Sequence, residues 1–260
     1  MSAGWERAVR EVGDWIRGER REFAANRVET KSLNSLVSYV DQQAEQMLIQ
    51  RLTEAVPGSG VLGEEGGESW VEGGANWIID PLDGTTNFLH GLPCFCISIA
   101  LYENDIPVLG VVHELNLDEC FYAWKNGGTY LNGRRIAVSQ TNSVADSLFA
   151  TGFPYHNYDR MQPYMAVFDF LMRNSHGIRR LGSAAADLAY VAAGRFEAFY
   201  EYGLNPWDVA AGVVLVREAG GKVTDFSGGI DATFGKEIIA GNAAMFDEFL
   251  NVVTEKFSGN

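Results

Sequence analysis

Positive charge is in short supply in this chain. Its 260 residues carry 20 Lys and Arg against 34 Asp and Glu, a formal net charge of −14 and a pI near 4.7. Nucleic-acid binders carry basic patches, so no nucleic-acid partner is expected. The one basic run, "RGERR" at 17–21, alternates with acid on a helical pattern and reads as a solvated face. Cysteine is scarce as well: Cys94, Cys96 and Cys120 form no CxxC pair. That excludes a disulfide framework and a zinc cluster, and leaves core thiols. No apolar run approaches the roughly 18 residues that span a bilayer. The start, "MSAGWERAVREVGDW", lacks a basic region followed by an apolar one. No membrane partner and a reduced, cytoplasmic location are the expectations.

What is present supports one large domain or two small ones, since 260 residues with 47% hydrophobic content bury an ample core. Helical spacing of Trp5, Ala8, Val9, Val12 and Ile16 predicts a helix over 5–25. A second is predicted over about 34–55, from Leu36, Val37, Val40, Ala44, Met47, Leu48 and Leu52, ending at Pro57-Gly58. From 77 the period changes to two. "NWIID", "FCISIALYE", "PVLGVVHEL", "ECFYAW" and "RRIAVS" predict an antiparallel meander. Strands and helices then alternate: "SLFATG", a helix over 159–173, "GIRRL", a helix over 183–193, "RFEAFYEY", a helix over 206–219, "KVTDF", "EIIAG" and a closing helix over 243–256. The expected organisation is an α+β part, 1–142, and an α/β part, 143–260, joined near "QTNSVAD" at 140–147.

One motif misleads. "GSGVLG", 58–63, matches the dinucleotide fingerprint, but a helix precedes it and "EEGGESW" cannot open a helix after it. It reads instead as a turn into a short strand that delivers Glu64.

The informative stretch is "WIIDPLDGTTNF", 77–88. Three apolar residues run into Asp80, then Pro81, Asp83 and a glycine. Pro81 fixes its own φ and keeps Asp80 extended. In an unbroken strand positions 80 and 83 face opposite ways, so bringing them together takes a turn between Pro81 and Gly84. Two close carboxylates repel unless a proton or cation lies between them. At neutral pH a hard divalent cation such as magnesium is the natural occupant. Gly84 lets backbone approach a ligand closely, and Thr85 and Thr86 open a short helix whose N–H groups face an anion. Further acids sit at Glu64 and Glu65 in "LGEEGG", at Asp208 behind Pro206 in "NPWDVAAG", and at Asp41 in "VSYVDQQ". Read alone, Asp208 serves the helix dipole and Asp41 is a surface acid.

Together these segments change the reading. "WIIDPLDGTTNF", with "GEE" before it and "PWDVAAG" after it, resembles the inositol monophosphatase family, and the resemblance covers nearly the whole chain. "KSLNSLVSYVDQQAEQMLI" at 31–49 resembles the family's N-terminal helix, and "GGTYLNGRRIAVS" at 127–139 its strand-turn-strand. "RRLGSAAADLAYVAAGRFEAFYEYGLNPWDVAAG" is similar to bacterial members. The resemblance implies a magnesium-dependent, lithium-sensitive phosphatase on a layered α-β-α-β-α sandwich. It implies metal ligands at Glu64, Asp80, Asp83, Asp208 and the Leu82 carbonyl. Gly84 and Thr85 would hold phosphate through backbone N–H groups. The Thr85 hydroxyl and Asp41, together with Glu64, would serve catalysis by preparing the attacking water. Gly182, Ser183, Ala184 and Glu201 would face the alcohol, with Leu82, Asp83 and Asp208 also against substrate. Lys31 lies near the family's site with no fixed role.

Charge supports two to three magnesium ions per site. Four carboxylates bring about −4 and a phosphate monoester dianion about −2, while two unit charges 4 Å apart interact by roughly 4 kcal/mol at an effective dielectric near 20. Attack is expected to be in line, without a phosphoenzyme; His90, His113, His156 and His176 all sit outside the acidic motifs. Inositol monophosphate is the expected substrate. Fructose 1,6-bisphosphate, histidinol phosphate and 3′-phosphoadenosine 5′-phosphate are the alternatives among relatives, and a metal-binding regulatory or scaffold protein is the non-enzymatic one. A homodimer is also implied, with the apolar meander and "CFCISIAL" as candidate interface segments.

Overall fold

The computed structural model describes residues 2–22, 28–32, 35–155 and 157–258. The first layer is a helical pair. α1 (Ser2–Glu22) buries the expected stripe of Trp5, Ala8, Val9, Val12 and Ile16. Arg17, in its basic run, pairs with Asp14 at 2.6 Å and Asp118 at 3.1 Å. α2 (Tyr39–Ala55) packs beside α1, burying Val40, Ala44, Leu48 and Leu52 at four-residue intervals. It starts later than the periodicity predicts. Residues 35–38 are β2 (Ser35–Ser38), paired antiparallel with β1 (Val28–Ser32). Leu36 and Val37 therefore belong to a hairpin, as does part of the segment matched to the family's N-terminal helix. β-branched Val28, Thr30 and Val37 suit that extended backbone.

A seven-stranded sheet follows in chain order: β3 (Gly60–Gly63), β4 (Ala75–Asp83), β5 (Cys96–Glu103), β6 (Ile106–Glu114), β7 (Glu119–Trp124), β8 (Gly128–Leu131) and β9 (Arg134–Ile136). It is an antiparallel meander except for the parallel β3–β4 pair. The alternation is two-sided. Trp77, Ile79, Ile97, Ile99, Leu101 and Val111 face α1 and α2. Ile78, Cys96, Ala100, Tyr102 and Val112 face the other way, onto a central helical layer.

That layer is α5 (Ala184–Ala192) and α6 (Pro206–Glu218), both buried nearly all round. They meet closely because position 212 is glycine: a Cβ there would fall 2.4 Å from Leu188 Cδ1 and 2.5 Å from its Cβ. Beyond them lies a five-stranded sheet in the order β11 (Ile178–Arg179), β10 (Phe149–Thr151), β12 (Ala198–Tyr202), β14 (Glu237–Asn242), β13 (Gly221–Thr224). The first three run parallel, and the last two are added antiparallel. Phe199, Ile238 and Ala240 face the central helices, whereas Phe149, Ala198, Tyr200 and Ile239 face the outer pair. That pair is α4 (Met161–Asn174) and α7 (Phe246–Ser258). Three cores thus join five layers, α-β-α-β-α, the middle core filling both sides of the central helices. No helix among the described residues is long and apolar enough to cross a membrane.

The expected interface on "CFCISIAL" does not hold. β5 is hydrogen-bonded to β4 and β6 and covered by helices on both faces, leaving Cys96, Ile97, Ile99 and Ala100 fully buried. An apolar strand in mid-sheet is a core element, and one sequence gives no sign of which apolar strand sits at an edge.

Candidate active site

The carboxylates of the "DPLD" segment converge through a bulge. Asp80 pairs with Ser98 and Asp83 with Cys96, so three steps along β4 span two along β5. The extra residue resets the side-chain alternation. Asp80 and Asp83, which an unbroken strand would send to opposite faces, both come to face the central helices. The geometry is a bulge inside the strand, with no cis peptide at Pro81, where the sequence suggested a turn beyond it.

The strand then stops at Gly84, whose φ of 96° is left-handed. A Cβ at this position would lie 2.8 Å from the Cys94 carbonyl oxygen. α3 (Thr85–His90) begins directly after it. Its first N–H groups have no partner within the helix.

α5 and α6 bring their N-termini to the same place. Ser183 caps α5, accepting the Ala186 N–H at 3.3 Å while its hydroxyl donates to Asp83 Oδ2 at 2.8 Å. The Ala185 N–H donates to the same oxygen at 2.7 Å. Asp83 therefore ties β4 to α5. Asp208, in the first turn of α6, accepts the Asn205 N–H at 2.6 Å. It does serve its helix start, yet it also lines the pocket. From the opposite sheet Glu201 on β12 faces inward. Its carboxylate lies so close to Gly152 that a Cβ there would be about 2.0 Å away.

The result is a polar cleft of about 170 Å³. Its walls include Glu64, Asp80, Leu82, Asp83, Gly84, Thr85, Gly182, Ser183, Ala184, Glu201 and Asp208. Every residue expected at the site lies on this wall except Asp41, which stands just behind it on α2. The Thr85 hydroxyl lies 2.8 Å from Asp41 Oδ1 and 3.0 Å from the Leu82 carbonyl oxygen. A hydroxyl has one proton to give. Donated to Asp41, it leaves the Thr85 oxygen free to accept from a molecule in the cleft. Glu64 is delivered by β3, as the reading of "GSGVLG" required. Lys31 falls on β1, its side chain outside the described residues, and His156 is outside them too. His90, His113 and His176 do not line the cleft.

Electrostatics define what the cleft wants. Burial, then Glu64, Asp83 and Asp208, push the Asp80 carboxyl well above its ordinary range. Burial raises Asp83 to about 6 despite the Ser183 and Ala185 donors. Asp208 is raised by burial and by Asp83. Among the described residues no three such side chains are already clenched into a ligand cluster. Asp80, Asp83 and Asp208 are instead each held by an N–H or O–H donor. The donor set is all oxygen and hard, four carboxylates gather on one wall, and the set fits a magnesium-type cation.

Three participants escaped sequence reading. Arg180 is the one cation on the wall among the described residues; it donates to the Tyr155 hydroxyl at 2.9 Å and lies over Phe153 at 5.5 Å. Gly182 makes room for it, since a Cβ there would fall 2.6 Å from Arg180 Nη1. Asp187, one turn into α5, is buried on the wall and raised by burial and by Glu201. Its position four residues after Ser183 was the available signal. The third, Glu45, is buried on α2 one turn beyond Asp41.

A five-layer sandwich with an acid-lined cleft, where the central helices start between two sheets, defines the class of fold. Comparison with known proteins then places the chain. The profile of the inositol monophosphatase family matches residues 2–256. An inositol-1-monophosphatase of Mesorhizobium japonicum is 42% identical over 89% of this chain and 87% of its own. The Nus factor SuhB of Pseudomonas aeruginosa is also 42% identical, over 95% and 93%. The crystal structure of the extragenic suppressor protein SuhB from Bartonella henselae superposes with a TM-score of 0.90, at 39% identity and 96% coverage of both chains. The chain belongs to the inositol monophosphatase family.

Proposed function

We propose that this protein is a magnesium-dependent phosphomonoesterase acting on inositol monophosphate or a similar polyol phosphate. One observation carries the reading: Glu64, Asp80, Asp83 and Asp208, scattered over the sequence, line a single cleft with the Gly84–Thr85 turn and the Thr85–Asp41 pair. Glu64, Asp80, Asp83, Asp208 and the Leu82 carbonyl would hold the metal, two to three ions by charge balance. Bound there, magnesium would neutralise the acids and draw electron density from the phosphoryl group.

The remaining work falls to the chain itself. The N–H groups of Gly84 and Thr85 receive phosphate oxygens. Asp41 accepts the hydrogen bond of the Thr85 hydroxyl, so the Thr85 oxygen is turned to accept from the attacking water and fixes its direction. Gly182, Ser183 and Ala184 form the wall against the alcohol, and Glu201 accepts from its hydroxyls. Among the described residues no histidine lines the cleft, and the cysteine nearest Asp83, Cys96, is buried with its thiol pushed well up. Direct attack by water is the chemistry these groups support.

The relatives carry both phosphatase and Nus-factor names. The intact set of acids around the cleft favours catalysis over a purely regulatory role. Phosphate release from a panel of monoesters, with magnesium, with EDTA and with added lithium, tests the reading. Release that needs magnesium and is greatest for inositol monophosphates supports it; a protein inert on the whole panel refutes it. Self-association has exposed apolar side chains available at Met165 and Met172 on α4, and not on β5.

A further inference from the structure

Asp41 has a companion. Glu45 follows it by one turn of α2, so both carboxylates leave the same face of the helix. Both are buried, at 1% and 4% exposure. Asp41 reaches Thr85, on one side of the cleft. Glu45 reaches the other side: Oε2 accepts the Glu65 N–H at 2.8 Å and Oε1 accepts the Gly67 N–H at 3.0 Å.

Those two amides belong to the turn that presents Glu64. The turn is closed by Gly63 N–H to the Gly67 carbonyl at 2.7 Å, and it is anchored to β4 by Glu64 N–H to the Ile79 carbonyl at 3.2 Å. The Glu45 carboxylate fills the inside of it. A Cβ on Gly63 would stand 2.3 Å from Oε2, and one on Gly67 would stand 3.2 Å from Oε1. Three of the five residues from Gly63 to Gly67 are glycine, so the segment has little stiffness of its own. An ionised acceptor gives the stronger class of hydrogen bond to backbone N–H.

We propose that Glu45 is a positioning residue: its carboxylate clasps the 63–67 turn and so fixes Glu64 at the metal side of the cleft. α2 thereby sets the water-orienting pair and the metal-side acid from one rigid element. The inference rests on the phosphatase reading above, and its test has readouts besides turnover.

The experiment uses the full chain, freed of metal and titrated calorimetrically with magnesium in the absence of substrate. Amide hydrogen exchange is followed across residues 60–70. Glu45→Ala removes both acceptors. Glu45→Gln keeps one and turns an N–H₂ toward the other amide, so it lies between, and it carries the test if the alanine variant does not fold. The expected result is magnesium binding weakened about tenfold or more in Glu45→Ala, with exchange at Glu65 and Gly67 faster by a similar factor and β5 amides unchanged. kcat should fall more than KM rises. Wild-type magnesium affinity in both folded variants overturns the proposal, and faster exchange with unchanged affinity reduces Glu45 to a structural clasp. A wild-type protein that binds no magnesium overturns the assignment of Glu64 itself, which separates failure of the phosphatase reading from failure of this one.

Discussion

Replacing Glu201 by Gln should make the metal-free protein more stable while weakening its grip on substrate. Glu201 is only 5% exposed, and burial is the first cause that raises its carboxyl from 4.5 to about 8, with Asp83 adding and Arg180 opposing. The sign follows from linkage. The folded pKa lies above the unfolded one, so the unfolded chain ionises first as pH rises. The protonated form leaves stability intact below about pH 4.5, and the penalty grows until pH passes about 8. Integrated, it is about 1 kcal/mol at pH 5, about 3 at pH 7 and about 5 at pH 9. Gln has the same shape and carries no charge. It should recover most of this, less about 1 kcal/mol for an amide N–H₂ that must find acceptors. Urea unfolding of wild type and Glu201→Gln in EDTA at pH 5, 7 and 9 measures the difference directly. A gain that widens with pH supports the reasoning. A variant less stable than wild type at pH 7, or a difference flat in pH, refutes it. The same variant should bind polyol phosphate more weakly, since an amide N–H₂ replaces one of the two oxygens proposed to accept from the substrate hydroxyls.

Thr85→Ala should lower kcat by about 10²- to 10³-fold, and Thr85→Ser, which keeps the hydroxyl, should stay within about tenfold; steady-state phosphate release distinguishes them. Gly84→Ala forces a side chain to φ 96° and 2.8 Å from the Cys94 oxygen. It should cost about 2 kcal/mol or more and raise KM, read by thermal unfolding and kinetics on the same preparation. Gly212→Ala drives a methyl into Leu188 between the central helices. A loss of about 1–3 kcal/mol in denaturant unfolding is expected, and an unchanged midpoint would contradict the close α5–α6 contact.

Much of the fold was legible because each periodic segment has one dominant environment. The stripe from Trp5 to Ile16 and the strands from Trp77 onward obey their periods since one layer covers each face. The start of α2 was misread because "SLVSYVDQQ" carries apolar residues at spacings that serve helix or hairpin, and the hairpin is decided by pairing with 28–32. β5 was misjudged as a surface for a related reason: burial on both faces depends on layers contributed from far along the chain. The four acids, the glycine turn and Asp41 were legible as a group from family motifs. The bulge that aligns Asp80 with Asp83 was not, because bulge and turn both accommodate a proline followed by glycine. Arg180 and Glu45 were hidden for opposite reasons. Arg180 lies in a segment read for its small residues, and Glu45 acts on backbone amides, which leave no pattern in side chains.

The central claim is that Asp80, Asp83, Glu64 and Asp208 act as one magnesium site for phosphate-ester hydrolysis. Asp83→Asn tests it most directly, because the substitution keeps an oxygen for the Ser183 and Ala185 donors and removes the charge. Phosphate release from inositol 1-phosphate should be magnesium-dependent in wild type and lost in the folded Asp83→Asn protein. Near-normal release by that variant, or release by wild type undiminished in EDTA, would contradict the account.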